Sequence, residues 1–231
     1  MERPPAPADL PADVRLFVFE RLLAHAVPPV VEEVMDRFAI ERQVATRTLH
    51  ELADVRHLAL VPGTARILMA FPFSAIATPF RVTTRERTYF ANCAWDALAF
   101  HAMLGEADVD VDSWCHHCAA PIRIELRGGR ATRVEPVEAL VYLALPPTRW
   151  WDDIVSTCSN TMVFFAAPDH RDASDLCAPP EQAASLTPDE VHALSGPIYA
   201  RKLARDYARP GRDELLAHFA AIGLTEPYWG L

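Results

Sequence analysis

The stretch "FRVTTRERTYFANCAWDALAFHAMLG", Phe80–Gly105, changes its hydrophobic period partway through, and that change decides the fold. Its first part alternates apolar with polar residues, as strands packed on one face do. From Cys93 onward, alanine, leucine and phenylalanine follow one another without alternation, the pattern of a helix that buries its Leu98 and Phe100 side against those strands. A helix lodged among antiparallel strands points to an α+β fold. Within that helix Cys93 and Asp96 stand at i and i+3, so their side chains share a face and can reach one small ligand. A carboxylate among apolar groups is expected to have a raised pKa, and a cysteine at a helix start a lowered one. Both shifts suit chemistry better than packing.

Downstream, "VDVDSW", "PIRIELRGGRATRVEP" and "ALVYLALP" continue the short strands, and Gly128-Gly129 marks a hairpin turn. Upstream, "PADVRLFVFERLLAHA", "PPVVEEVMDRFAI" and "ERQVATRTLHELADV" read as three helices, leading into "HLALVPGTARILMAFPF", a hairpin around Pro62-Gly63. Three helices and a hairpin suggest a winged helix-turn-helix. The expected division is therefore a winged-helix-like domain over residues 1–78 and a mixed or antiparallel sheet domain with packed helices over 79–231.

The last third holds "TRWWDDIVSTCSNTMVFFAAPDH", then a helix capped by Thr187 with Pro188 in its first turn, then "RDELLAHFAAIG", ending at a glycine. Apart from the segment around Cys158 these parts read as structural, with "LTEPYWGL" left to dock or fray.

Composition narrows the function. The 231 residues carry a net charge of −9 and are 51% hydrophobic, enough for a packed core. That charge argues against nucleic acid or an anionic membrane as partner. The third helix supports the same reading, since Arg42, Arg47 and Arg56 are offset by Glu41, Glu51 and Asp54. The winged helix is thus read as a packing or substrate-gating module rather than a DNA reader. No apolar run reaches the roughly 18 residues of a membrane span and no signal peptide opens the chain, so a cytoplasmic location is expected.

Five cysteines, Cys93, Cys115, Cys118, Cys158 and Cys177, read as thiols for ligation or catalysis rather than a disulfide framework. Cys158 precedes a strongly apolar run; a fold that sets it beside Cys93 would offer two thiolates to a soft metal, with Asp96 as the nearby proton source. Trp95, Phe164 and Phe165 are candidates for the walls of an apolar pocket, Asn160 and Thr161 for orienting the Cys158 loop. Cys115 and Cys118, with His116 and His117, resemble half a zinc site, but no second Cys/His pair follows at suitable spacing. The pair reads first as a buried structural cysteine with a bystander, then as an accessory thiol pair that relays a soft metal, then as a redox dithiol. Cys177 reads as an exposed bystander, and His101 as a surface or sheet-packing residue.

In order along the chain, the winged-helix-like start, "YFANCAWDALAFHAMLG", "VDSWCHHCAAPIRIEL", "LALPP" and "CSNTMVFFA" resemble the organomercurial (alkylmercury) lyases. The resemblance implies an active site of Cys93, Asp96 and Cys158, and protonolysis of a carbon–mercury bond that leaves a hydrocarbon and Hg(II) held transiently by these residues. It implies no separate cofactor, with product release to cellular thiols or to a mercuric reductase. Cys-x-x-Cys departs from the single cysteine that the family carries there. The rival reading is a soft-metal-binding or sensing protein, or a thiol-redox protein, on the same scaffold.

Overall fold

Helices α1 (Leu10–His25), α2 (Val31–Phe38) and α3 (Arg42–Asp54) come first among the described residues, the first two placed by local signals. Asp9 caps α1 by accepting the Ala12 N–H, and Glu33 of α2 folds back to accept the Val30 N–H. The computed structural model describes residues 9–105, 107–225 and 227–230. Strands β1 (Ala59–Leu60), β2 (Ile67–Ala70) and β3 (Phe73–Ser74) follow as an antiparallel sheet in the order β1-β2-β3. Three helices followed by a hairpin keep the order of elements read from the sequence, with a third short strand added.

Arg15 of α1 is buried, and its guanidinium donates to the carbonyls of Lys202 (2.5 Å) and Ala204 (2.6 Å) near the other end of the chain. A buried cation must be satisfied in this way or lose several kcal/mol of hydration.

The second sheet comprises β4 (Arg81–Thr84), β5 (Thr88–Phe90), β6 (Val109–Trp114), β7 (Pro121–Arg127) and β8 (Arg130–Glu135), all antiparallel, in the order β5-β4-β6-β7-β8. Register follows from the alternation. Val82 pairs with Val111 and Val111 with Ile124 on the buried face, while Arg81 faces Asp112 on the outer one. Gly128 and Gly129 join β7 to β8 with φ of +53° and +79°, the two left-handed residues that a tight hairpin requires.

Helix α4 (Ala94–Met103) sits between the two ends of this sheet's β4–β6 connection, and all ten of its residues are buried. One apolar face was expected. The helix is instead enclosed, packed on β4, β6, β9 (Leu140–Leu143), β10 (Met162–Phe165) and the later helix α7, which accounts for its lack of a polar stripe.

The remaining elements are α5 (Ile154–Ser156), running into a π-helical turn over Thr157–Thr161, then α6 (Pro168–Asp172), β11 (Ala184–Leu186), α7 (Pro188–Tyr199) and α8 (Arg212–Ala221). A third antiparallel sheet has the order β10-β9-β11, and every residue of β9 and β10 is buried, as their unbroken apolar runs require. Thr187 and Glu190 close a capping box on α7, as Thr187 and Pro188 foretold. Tyr228 and Trp229 are buried, so the described part of the tail docks.

Candidate active site

Three local devices bring the reactive side chains together. Cys93 is the N-cap of α4, its Sγ accepting the Asp96 N–H at 3.3 Å, which turns both side chains of the i, i+3 pair inward. Cys158 rides on the π-helical turn, a geometry that projects one extra residue out of helical register and recurs at functional sites. Within that turn Thr161 Oγ1 donates to the Thr157 carbonyl (2.7 Å), and Asn160 Nδ2 to Ser156 Oγ (3.3 Å), so these two residues brace the turn locally. The ligating atoms of Cys93, Asp96 and Cys158 all lie within 4.8 Å of one another, and all three residues are buried.

They line a cavity of about 40 Å³ walled by Phe71, Trp95, Trp150, Met162 and Ile198, with Tyr199 and Arg209 among its polar groups. Trp95 is held edge-on to Trp150 with ring centroids 4.9 Å apart, and its Nε1 donates to Ser195 Oγ of α7 (2.7 Å). The expected aromatic wall is thus Trp95 but not Phe164 or Phe165. Phe164 packs toward Phe80, and Phe165 toward Tyr142 and His116.

Burial sets the protonation states. It pushes the Cys93 thiol well above the ordinary range, reinforced by the hydrogen bond with Cys158 and the Asp96 charge, so the lowering expected of a helix-start cysteine is overridden. At Cys158 the hydrogen bond from Cys93 lowers the pKa, but burial and the Asp96 charge together raise it further. Asp96 is raised by burial, as its apolar setting foretold, against the opposing hydrogen bonds from Tyr199 and Asn92. Tyr199 OH donates to Asp96 Oδ1 at 2.5 Å, and Asn92 Nδ2 to Asp96 Oδ2 at 2.8 Å and to the Pro72 carbonyl at 3.1 Å.

Two participants came from a segment read as structural. Tyr199 ends α7, and Lys202 follows it, fully enclosed with Nζ 4.9 Å above the Tyr199 ring. Burial, aided by the Arg209 charge, drives Lys202 down to about 7, while the Asp96 charge opposes that drop. A lone Tyr or Lys over a hundred residues from Asp96 carries no spacing signal. The one available clue was the run "YARKLARDYAR", which places basic and phenolic groups beyond the apolar pattern of α7.

His101 is buried rather than on the surface: Nδ1 contacts the Ala107 carbonyl (2.6 Å) and Nε2 accepts the Gly129 N–H (2.9 Å), tying α4 to the β7–β8 hairpin. Cys177 is exposed, as read. Cys115 is buried and Cys118 exposed; both sulfurs lie away from the active cavity, beside His170. Arg42 pairs with Glu32 and Arg47 with Glu51. Among the described residues no helix is long and apolar enough to cross a membrane.

The family model described as MerB, alkylmercury lyase, matches residues 73–200, over half of the chain. Alkylmercury lyases of Bacillus cereus and Clostridium butyricum are each 32% identical over 93 residues, 40% of this chain and 41% of theirs. That of Staphylococcus epidermidis is 26% identical over 151 residues, 64% of this chain and 65% of its own. The chain therefore spans about two fifths of the length of the first two relatives and just under two thirds of the third. A solved structure, the mercury-bound form of MerB2, superposes with a TM-score of 0.65 at 19% identity, covering 86% of this chain and 93% of that one. This likeness is one of fold.

Proposed function

This chain belongs to the alkylmercury lyase family, and on that premise we propose that it cleaves the carbon–mercury bond of organomercurials by protonolysis at Cys93, Asp96 and Cys158. The observation that carries the reading is the convergence of two thiols and one carboxyl within 4.8 Å in a sheltered cavity. Two sulfurs suit a soft, two-coordinate metal as substrate, and the carboxyl supplies the acid that a leaving carbanion needs.

In a substrate R–Hg–X, one thiol displaces X, and its proton leaves with X as HX. The second sulfur then adds to mercury, raises the coordination number and shifts electron density onto carbon. Its proton passes to Asp96 and from Asp96 to the carbon, which departs as RH. One R–Hg–X and two thiols thus become RH, HX and Hg(II) held on two sulfurs. The raised pKa values of Cys93 and Cys158 keep both protons on the sulfurs until mercury arrives. Apolar walls exclude water from the step, and the cavity of about 40 Å³ favours small organic groups.

A groove of about 350 Å³, lined by Arg56, Trp150, Trp151, Ile198, Arg209 and Arg212, adjoins that cavity through four shared residues. Its basic rim suits substrates delivered as adducts of anionic cellular thiols. The same thiols, or a mercuric reductase, would remove Hg(II) by ligand exchange in a reducing cytoplasm, and no resident cofactor takes part.

The test is hydrocarbon release. Purified chain with methylmercury or phenylmercury and excess thiol is expected to yield methane or benzene by gas chromatography. Cys93→Ser, Cys158→Ser and Asp96→Asn should each cut turnover by at least about 10²-fold, the usual span of a lost acid or nucleophile. Absence of hydrocarbon from the wild-type chain, or metal-induced duplex binding in its place, overturns the proposal. Full turnover in Asp96→Asn removes the carboxyl from the mechanism.

A further inference from the structure

Outside the active cavity, one cluster of soft ligand atoms remains unexplained by the proposed reaction. The β6–β7 connection turns sharply: the Cys115 N–H donates to the Ala120 carbonyl (2.8 Å), the Ala119 N–H to the Cys115 carbonyl (2.9 Å), and Ala119 adopts a φ of +58°. The Cys115 sulfur is fixed inside this knuckle by backbone N–H groups of Ala166, Cys118 and His117, donors that favour a thiolate there. Across from it, α6 presents His170, whose Nδ1 lies 3.5 Å from Cys115 Sγ and 3.4 Å from Cys118 Sγ. All three ligating atoms fall within 4.8 Å of one another.

Hydrogen bonding explains only part of that geometry. A ring nitrogen has one proton or one lone pair in its plane, so Nδ1 can bond only one of the two sulfurs well, although it lies equally close to both. A metal ion at the centre satisfies all three. With Zn–S about 2.3 Å, Zn–N about 2.05 Å and a tetrahedral angle, an S···N separation of about 3.6 Å follows, close to both observed values.

We propose that Cys115, Cys118 and His170 bind Zn(II) as a tetrahedral Cys2His centre, distinct from the mercury chemistry of the active cavity. Two thiolates and an imidazole are a donor set that zinc accepts readily. The fourth position faces solvent on the side where Cys118 and His117 are exposed and takes a water molecule. Zinc there acts as a clamp. It ties the β6–β7 knuckle to the junction of β10 and α6, where the His116 N–H already donates to the Phe164 carbonyl (2.9 Å). β10 begins directly after the turn that carries Cys158, so the clamp steadies the strand from which that turn springs.

The experiment uses full-length chain carrying Cys93→Ser and Cys158→Ser, which removes the other thiol pair, reconstituted with Zn(II) alone and dialysed. The expected result is one zinc per chain by elemental analysis. Reconstitution of this variant, and of the wild-type chain, with Co(II) should give the visible ligand-field bands of a tetrahedral ion together with thiolate charge transfer. Adding Cys118→Ser or His170→Ala should weaken zinc binding by more than about 10²-fold, since even the loss of an outer partner costs 10- to 100-fold, whereas Cys177→Ser should leave it unchanged. Cys118 is exposed, so its substitution spares the core. Failure to retain stoichiometric zinc, a Co(II) spectrum lacking tetrahedral bands, or zinc content indifferent to both Cys118→Ser and His170→Ala overturns the site.

Discussion

Asp96 is a carboxyl under opposed influences: burial raises its pKa, and the hydrogen bonds from Tyr199 and Asn92 lower it. The sign of a test follows. Tyr199→Phe deletes a donor to the carboxylate, so the Asp96 pKa climbs further and the acid form persists to higher pH. The rising acid limb of a single-turnover pH–rate profile, where Asp96 ionises to the carboxylate that accepts the thiol proton, should therefore move to higher pH, with about 1 kcal/mol lost from folding stability. An unmoved limb would assign that limb to another group. Cys93, Asp96 and Cys158 were legible as candidates because their flanking segments occur in family order. Tyr199 and Arg209 were not, because they reach the cavity from the end of α7 and beyond it through tertiary packing that leaves no spacing in the chain, and the same holds for Lys202 against the Tyr199 ring. His170 was hidden for the same reason: a zinc pattern is sought as paired residues, and here the third donor stands alone, 52 residues after Cys118.

Among the elements, α4 bears the greatest structural demand. Phe100 is fully buried at its centre, 4.6 Å from the Phe73 ring and 5.5 Å from that of Tyr89, so one side chain joins β3, β5 and the helix. Phe100→Ala should cost about 3–5 kcal/mol, read as a lower midpoint in urea with little change in slope. The helices and most strands were legible from periodicity, since α1, α3, β4–β5 and β6–β7 each keep one buried and one wet face. The features that escaped include β11, in a stretch that reads as loop, α6, β3 and the enclosure of α4. The short strand β3 has too few residues to show a period, and the complete enclosure of α4 depends on α7, whose approach is set by packing over the second half of the chain. The Cys93 pKa reversed direction for a related reason: a helix N-terminus is a local cue, whereas burial is a property of everything that surrounds it.

At the scale of the whole molecule, the buried cations Arg15 and Lys202 make stability depend on pH. Lys202 has a pKa of about 7 in the folded chain against an ordinary 10.5. Between those values the unfolded chain binds more protons, so stability should rise with pH across that window, with a slope approaching about 1.4 kcal/mol per pH unit. Below pH 7 the burial of the charged ammonium is opposed in full. Lys202→Met should flatten that rise, measured as urea midpoints at pH 7 and pH 9; an equal rise in both proteins would assign the effect elsewhere. The division near residue 78 was read from a change of pattern, but nothing in the pattern announced that α1 would also grip the segment after α7. That grip has a consequence for biosynthesis. Arg15 leaves the ribosome 187 residues ahead of Lys202, whose carbonyl it will hold, a delay of roughly 10–40 s at ordinary elongation rates. From the emergence of Cys93 until Lys202 follows it 109 residues later, the nascent polypeptide carries thiols uncovered, open to capture by any passing heavy-metal ion before the fold closes over them.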